Sequence, residues 1–252
     1  MSGTARFLTI PRGQNTPNPF FDRFSLLTGP GTAIVLAQSR VIVVGIGGVG
    51  SWCAEALVRS GLENISIVDS DLISETNINR QVQATSRTLG QPKTFALEQR
   101  LKEINPLCKV KSFHEKFSAE TAERFGIAEM DYVIDAIDTI TCKLDLIETA
   151  LTAGKKLFSS MGMARKLDPT LIRSADIWKT SGCPLARLVR EGLKKRKIEG
   201  HFTAVYSPEQ IPRQDGEIEK EDGKIINGSA VTVTAAAGMV LASLVLKDIY
   251  AG

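Results

Sequence analysis

Four glycines in the segment GIGGVG, Gly45, Gly47, Gly48 and Gly50, are the first residues whose type and spacing suit chemistry. Glycines in that pattern let the backbone turn sharply and approach a phosphate, and a helix starting near Val49 would offer unpaired N–H groups at its positive end. Nineteen residues beyond Gly50 stands Asp69, the distance at which a dinucleotide-binding unit carries an acid for ribose hydroxyls. Alone, this describes a nicotinamide or flavin site. The residues that follow change the reading, because SDLISETNINRQ supplies Asn77 and Arg80, GQPK supplies Lys93, and a dinucleotide needs none of them. An amide and two cations beside a glycine turn suit a triphosphate. Asp138, at the end of YVIDAID, is a carboxylate able to hold Mg²⁺ against phosphate oxygens. Each residue also has a plainer reading: Asp69 as the cap of the next turn, Arg80 and Lys93 as surface charges, Asp138 as a helix N-cap. Their joint occurrence favours the nucleotide site.

Those side chains need a frame, and the hydrophobic pattern supplies one. The β-branched run Arg40 to Val44 meets the glycine turn, SWCAEALVRSG continues as a helix stopped at Gly61, and Asn64 to Val68 is a second strand ending in Asp69. The two strands are expected as parallel neighbours. Helical spacing of Phe95, Leu97, Leu101 and Ile104 between Gly90 and Asn105 is stopped by Pro106, before a strand over Lys109 to Phe113. Tyr132 to Ile134 is a further strand running into DAID, followed by a helix around Cys142 to Ala153 and a strand over Lys156 to Ser160. This βαβ rhythm predicts an α/β fold with a Rossmann-like, open, mostly parallel sheet and helices on both faces, Asp138 standing just past the sheet's carboxyl edge.

The last third is less regular. DPTLIRSADI reads as a strand, CPLARLVREGLKKRK as a helix and HFTAVYS as a strand, while Pro208 to Gly228, with its charge run DGEIEKEDGK, reads as a solvated, mobile loop. We expect a loose lead-in over residues 1–22 and one domain over 23–252, with a nucleotide-binding core at 23–160 and an α/β elaboration at 161–252.

Composition bounds the function. The hydrophobic fraction of 43% against 23% charged residues describes an ordinary globular chain, and 31 basic against 28 acidic side chains leave only +3, so any nucleic-acid contact must come from a local cluster. Cys53, Cys108, Cys142 and Cys183 form no C-x-x-C pair, which speaks for reduced thiols in a cytoplasmic protein. The amino terminus lacks the apolar run of a secretory signal. Ser229 to Leu246 holds eighteen uncharged residues. Its alanines and hydroxyl residues favour a buried core or dimer-interface helix, with membrane association left open.

In this order and spacing, GIGGVG, IVDSDLISETNINRQ, GQPK and VIDAID resemble the ThiF/MoeB/ubiquitin-activating superfamily, whose members adenylate carboxylates. The likeness covers about residues 23–160. It implies that Asp69 binds the ATP ribose, that Asn77, Arg80 and Lys93 line the phosphates, and that Asp138 holds Mg²⁺. Arg23, in DRFSLLTG, matches an arginine that family members lend to the neighbouring subunit's ATP, which implies a homodimer. Within the superfamily, SMGMARKLDPTLIRSADIWKTSGCPLARLVREGLKKR, VYSPE and NGSA resemble the tRNA threonylcarbamoyladenosine dehydratases. Relatives that activate ubiquitin-like sulfur carriers bear zinc on two C-x-x-C pairs missing here, so no structural zinc is expected.

That resemblance implies ATP-dependent adenylation of the threonine carboxylate on the modified adenosine beside a tRNA anticodon, then cyclisation by a side-chain nitrogen. The alternative is an adenylating enzyme for a ubiquitin-like or sulfur-carrier protein. An NAD-linked oxidoreductase and a silent binding module fit the phosphate-clamping set less well. A tRNA substrate calls for local positive charge, and Arg187, Arg190, Lys194, Lys195, Arg196 and Lys197 supply six basic groups against Glu191 and Glu199. Helical spacing puts Arg187, Arg190, Lys194 and Lys197 along one side and Leu185, Leu188, Val189 and Leu193 toward the core. A solvated amphipathic helix is the plainer reading. Cys183, before Pro184, is a weaker candidate for an acyl relay, and His114 and His201 lack metal-ligand spacing. A bound monovalent cation and a sulfur-relay partner protein are left open.

Overall fold

Runs of Val and Ile build the centre of the sheet, because branched side chains pack well on a pleated surface. The computed structural model describes residues 18–210, 220–221, 224–225 and 227–252. In chain order it contains Asp22–Thr28 (α1), Pro30–Gln38 (α2), Arg40–Val44 (β1), Gly50–Arg59 (α3), Asn64–Val68 (β2), Lys93–Ile104 (α4), Lys109–Phe113 (β3) and Tyr132–Asp135 (β4). There follow Ile140–Thr152 (α5), Lys156–Ser160 (β5), Arg173–Asp176 (β6), Pro184–Lys195 (α6), Thr203–Tyr206 (β7), Lys220–Glu221 (β8), Lys224–Ile225 (β9) and Val231–Ala251 (α7).

The main sheet has seven strands in the order β3-β2-β1-β4-β5-β7-β6, parallel except for β6, which runs antiparallel to β7. Val41 of β1 pairs with Ile65 on one side and Tyr132 on the other, so the expected parallel neighbours are found. Successive strands proceed outward from β1 to β3, then return to the other side of β1 at β4. A sheet of this order opens a crevice between the carboxyl ends of its two central strands, and ligands sit there. The turns after β1 and β4 are those that carry the glycines and Asp138.

Strand side chains alternate between two cores. Val41 and Val43 face Leu57, Leu97 and Leu241 from α3, α4 and α7, whereas Ile42 and Val44 face Ile147 and Val189 from α5 and α6. Helices therefore cover both faces, as the sequence implied. α7 is long and apolar enough to cross a bilayer by length and composition. Its Val233, Ala237, Leu241 and Val245 are nevertheless buried in the first core. Gly238 makes that packing close, since a Cβ there would stand 2.5 Å from the Val49 carbonyl oxygen.

Three details differ from expectation. Residues 1–17 of the lead-in lie outside the described residues, but from Asn18 onward it is not loose: Asn18 caps a 3-10 turn over Pro19–Phe21, and Phe21 is buried against Gly61. The stretch 208–228 lies partly outside the described residues, and where described it includes an antiparallel ladder of β8 and β9 rather than loop alone. On α6 the inward stripe is Ala186, Val189 and Leu193, while Leu188 is 45% exposed. Leu188 follows Ala186 by two residues, which turns it away from a stripe spaced at three and four.

Candidate functional site

The glycine turn fits its place through contacts that no side chain would allow. Gly45 has φ +84°, and a Cβ on it would lie 2.7 Å from the Ala136 carbonyl oxygen, so the turn after β4 backs directly onto the turn after β1. Gly50 opens α3 so close to Gly45 that its Cβ would stand 1.9 Å from the Gly45 carbonyl oxygen. At Gly47 the space is open, the nearest atom being Gln81 Nε2 at 3.9 Å. Gly48 lies under the stem of Arg80, whose Cγ and Cδ would be 3.2 Å from a Cβ there, as would Thr234 of α7. The turn is thus closely packed at both ends and open at Gly47.

Arg80 is held from both sides. Trp52 Nε1 donates to its carbonyl at 2.9 Å, and its Nη1 donates to the Thr76 carbonyl at 2.8 Å and to Asn79 Oδ1 at 2.9 Å. Asn77 is buried, and its Oδ1 accepts from the Ser74 N–H at 3.1 Å, completing a capping box that shapes this turn. Its amide N–H groups take no part in that box.

Asp69 and Lys93 meet beside the turn. Asp69 Oδ2 accepts from the Ile46 N–H at 2.9 Å and Oδ1 from the Asp71 N–H at 2.9 Å. Lys93, the first residue of α4, is only 5% exposed; its Nζ lies 2.7 Å from Asp71 Oδ2 and 4.0 Å from Asp69 Oδ1. Burial raises the Asp69 carboxyl above the usual aspartate range, outweighing the Lys93 charge and the two N–H groups.

Asp138 is exposed on the turn after β4, where its Oδ1 accepts from the Thr139 hydroxyl at 3.3 Å. Thr139, not Asp138, occupies the N-cap position of α5. The turn is fixed from beneath by residues the sequence reading passed over. Asp135 Oδ2 accepts from Ser159 Oγ at 2.6 Å and lies 2.8 Å from Lys143 Nζ, and its Oδ1 accepts from the Ile137 N–H at 3.1 Å. Lys143 also donates to the Ile137 carbonyl at 2.8 Å. Gln83, whose place in the sequence carries no signal of this role, is buried and donates to the Ile46 carbonyl at 2.9 Å, which steadies the glycine turn.

Two predicted groups stand outside this cluster. Arg23 is exposed on α1 and, among the described residues, makes no hydrogen bond or ion pair. On α6 and just beyond it, Arg187, Lys194, Lys195 and Lys197 are exposed, but Arg190 donates to Thr180 Oγ1 and Arg196 bridges Asp145 and Glu148 of α5 at 2.8 and 2.9 Å. Cys183 is buried, like the other three free cysteines. His201 Nδ1 lies 2.9 Å from Asp176, and His114 is exposed.

Comparison with known proteins gives the family. The ThiF family model matches residues 24–249. The chain is 39% identical to the tRNA threonylcarbamoyladenosine dehydratase of Bacillus subtilis, over 91% of this chain and 94% of that one. It is 34% identical to the Escherichia coli protein of the same name, over 86% of this chain and 88% of that one. The crystal structure of the E. coli enzyme in complex with ATP superposes with a TM-score of 0.82 at 33% identity, covering 92% of this chain and 93% of that one. The chain therefore belongs to the ThiF family and, within it, to the tRNA threonylcarbamoyladenosine dehydratases.

Proposed function

We propose that this protein uses ATP to adenylate the threonine carboxylate of threonylcarbamoyladenosine beside a tRNA anticodon and closes that nucleoside into a cyclic, dehydrated form. The observation that carries the reading is the meeting of an open glycine turn, a largely covered Asp69, a buried Lys93 and a braced Arg80 at the carboxyl ends of β1 and β2. Complexes of the E. coli homologue with ATP and with AMP support the nucleotide.

Asp69 accepts from the ribose hydroxyls, while backbone N–H groups around Gly47 and the α3 N-terminus receive phosphate oxygens. Lys93 and Arg80 offset charge on the phosphates as it shifts in the transition state. The substrate carboxylate is ionised at neutral pH, so no base is needed when its oxygen attacks the α-phosphorus and pyrophosphate leaves. A nitrogen of the same nucleoside then attacks the activated carbonyl carbon and loses its proton. AMP departs with the former carboxylate oxygen, which removes the elements of water from the nucleoside. Mg²⁺, when bound, would further reduce phosphate charge. Asp138 fits that ion, being an exposed carboxylate on the turn that backs onto the glycines, and Mg²⁺ on a triphosphate uses only one or two protein carboxylates.

The working unit in this reading is a homodimer in which Arg23 reaches the partner's ATP. Its support is the surface around Arg23, where Leu26 and Leu27 of α1 are 83% and 79% exposed and Phe20 and Val35 are also uncovered. Apolar patches of this kind mark interaction sites. The basic groups Arg187, Lys194, Lys195 and Lys197 receive tRNA phosphates. The work belongs in the cytoplasm, where free thiols such as the four buried here persist. Incubating threonylcarbamoyl-modified tRNA with the protein and Mg-ATP tests the reading: ATP-dependent loss of one water from the nucleoside supports it, and an unchanged nucleoside refutes it.

A further inference from the structure

Three segments of the last third meet at the sheet edge that carries the glycine turn. Residues 161–168 follow β5, residues 207–209 follow β7, and residues 228–229 precede α7. Since β5 and β7 run parallel to β1 and β4, the first two segments leave the sheet at the same edge as the nucleotide site.

Glu209 fastens the first segment. Both its carboxylate oxygens lie 3.1 Å from the Leu167 nitrogen and accept that N–H, and Oε2 also accepts from the Asp168 N–H at 3.1 Å. Lys166, a buried cation, donates back to the Glu209 carbonyl at 2.6 Å. The Arg165 backbone takes the left-handed conformation at φ +56°, and its N–H donates to the Gly228 carbonyl at 2.8 Å. The next residue, Ser229, accepts at its carbonyl from Asn79 Nδ2 at 3.0 Å, and Asn79 Oδ1 accepts from Arg80. Hydrogen bonds joined by short stretches of backbone therefore link Arg80 to a loop in which Leu167 is 68% exposed. A left-handed non-glycine residue and a carboxylate spent on backbone N–H groups are costly in a loop with no task.

We propose that residues 161–168 form the wall that seats the single-stranded RNA loop bearing the reacting carboxylate, with Leu167 as an apolar rest for a base and Glu209 as the positioning residue that sets the wall's shape. Single-stranded RNA is read through bases splayed against side chains, which an exposed apolar tip on a braced backbone suits. This rests on the function proposed above and deepens it, assigning RNA selection to a part of the site separate from nucleotide binding.

The test uses the full-length protein, threonylcarbamoyl-modified tRNA and ATP. Glu209→Ala and, separately, Leu167→Asp are expected to raise KM for the tRNA about tenfold, the effect of losing one or two charge-assisted hydrogen bonds or one base contact. ATP affinity measured without RNA stays within about twofold, and Glu209→Gln, which keeps one acceptor oxygen, falls between Glu209→Ala and the parent. An unchanged KM in both variants, or a loss of ATP affinity matching the loss for tRNA, overturns the proposal. Should Glu209→Ala fail to fold, Leu167→Asp decides alone, because that side chain lies outside the core. A parent enzyme that leaves the nucleoside unaltered overturns the functional reading itself, whereas an active parent with two indifferent variants overturns only this inference.

Discussion

Lys143 and Asp135 form an ion pair 2.8 Å apart with both side chains fully buried, and the same ammonium holds the Ile137 carbonyl one residue before Asp138. A pair so placed is tolerated because the carboxylate also accepts from Ser159 and from the Ile137 N–H. Lys143→Met leaves a buried carboxylate without its cation and is expected to cost roughly 3–5 kcal/mol of stability. In urea unfolding, the double variant Lys143→Met with Asp135→Leu should lose clearly less than the sum of the two single changes. Additive losses would show that the two groups do not act as a unit.

The proposed ribose contact of Asp69 predicts that nucleotide binding is sensitive to acid. If Asp69 accepts from ribose hydroxyls as proposed, it must be ionised to do so, and burial has raised its folded-state value, so ATP affinity should begin to fall at a higher pH than an ordinary aspartate would cause. For the free protein the sign is reversed. An acid whose folded value exceeds its unfolded value loses stability as pH rises from the unfolded value through the folded one, because the folded state holds the proton more tightly in that window. Asp69→Asn should therefore weaken ATP binding yet flatten both pH dependences. An ATP affinity with the same acid limb in the variant and the parent would rule Asp69 out as its source.

Lys93 is buried beside Asp69 and Asp71, next to the glycine turn. Lys93→Ala should lower turnover by about a hundredfold or more, the range for removing one transition-state charge contact, while the melting temperature falls far less than for Lys143→Met, because its nearest partner, Asp71, is exposed to water. Parallel loss of activity and of fold would make the lysine structural.

The basic residues of α6 and its end divide into two groups. Lys194→Ala and Lys197→Ala should each weaken tRNA binding and reduce the slope of log affinity against log salt by about 1. Arg196→Ala should act on stability instead, since its guanidinium joins α6 to Asp145 and Glu148 of α5. Filter binding at several salt concentrations, read beside thermal melts, separates the two. A larger salt effect from Arg196→Ala than from the lysines would contradict the division.

If Arg23 serves the partner's site, inactive Arg23→Ala and Asp138→Ala chains should complement each other. A mixed dimer holds one site with both residues intact, so mixing and re-equilibrating the two should restore a sizeable fraction of activity. No recovery in a mixture proven to exchange subunits would sink the shared site.

Much of this architecture can be read without coordinates, and the reasons are local. β1, β2 and β4 are short apolar runs because a central parallel strand is covered on both faces, and the bounds read for β1, β2, β3 and β5 coincide with the strands observed. The glycine turn and Asp69 are equally local. Lys143 had a weak signal: it falls on the helical stripe of Ile147 and Ala150, four and seven residues on, where a charge needs a buried partner. Arg196 had none, because its partners lie on another helix. Nor does spacing reveal that Arg80 rests on Gly48 against Thr234, or that Glu209 reaches back to Leu167. These contacts arise only when distant segments meet at one edge of the sheet.

The measurement closest to the central claim is nucleoside mass spectrometry of threonylcarbamoyl-modified tRNA after incubation with the protein and Mg-ATP, under mild digestion, with pyrophosphate followed in parallel. The expected product is lighter by one water, accompanied by equimolar pyrophosphate, and absent without ATP or with Lys93→Ala. Pyrophosphate release with an unchanged nucleoside would contradict the claim and direct attention to another carboxylate, such as the C-terminus of a carrier protein.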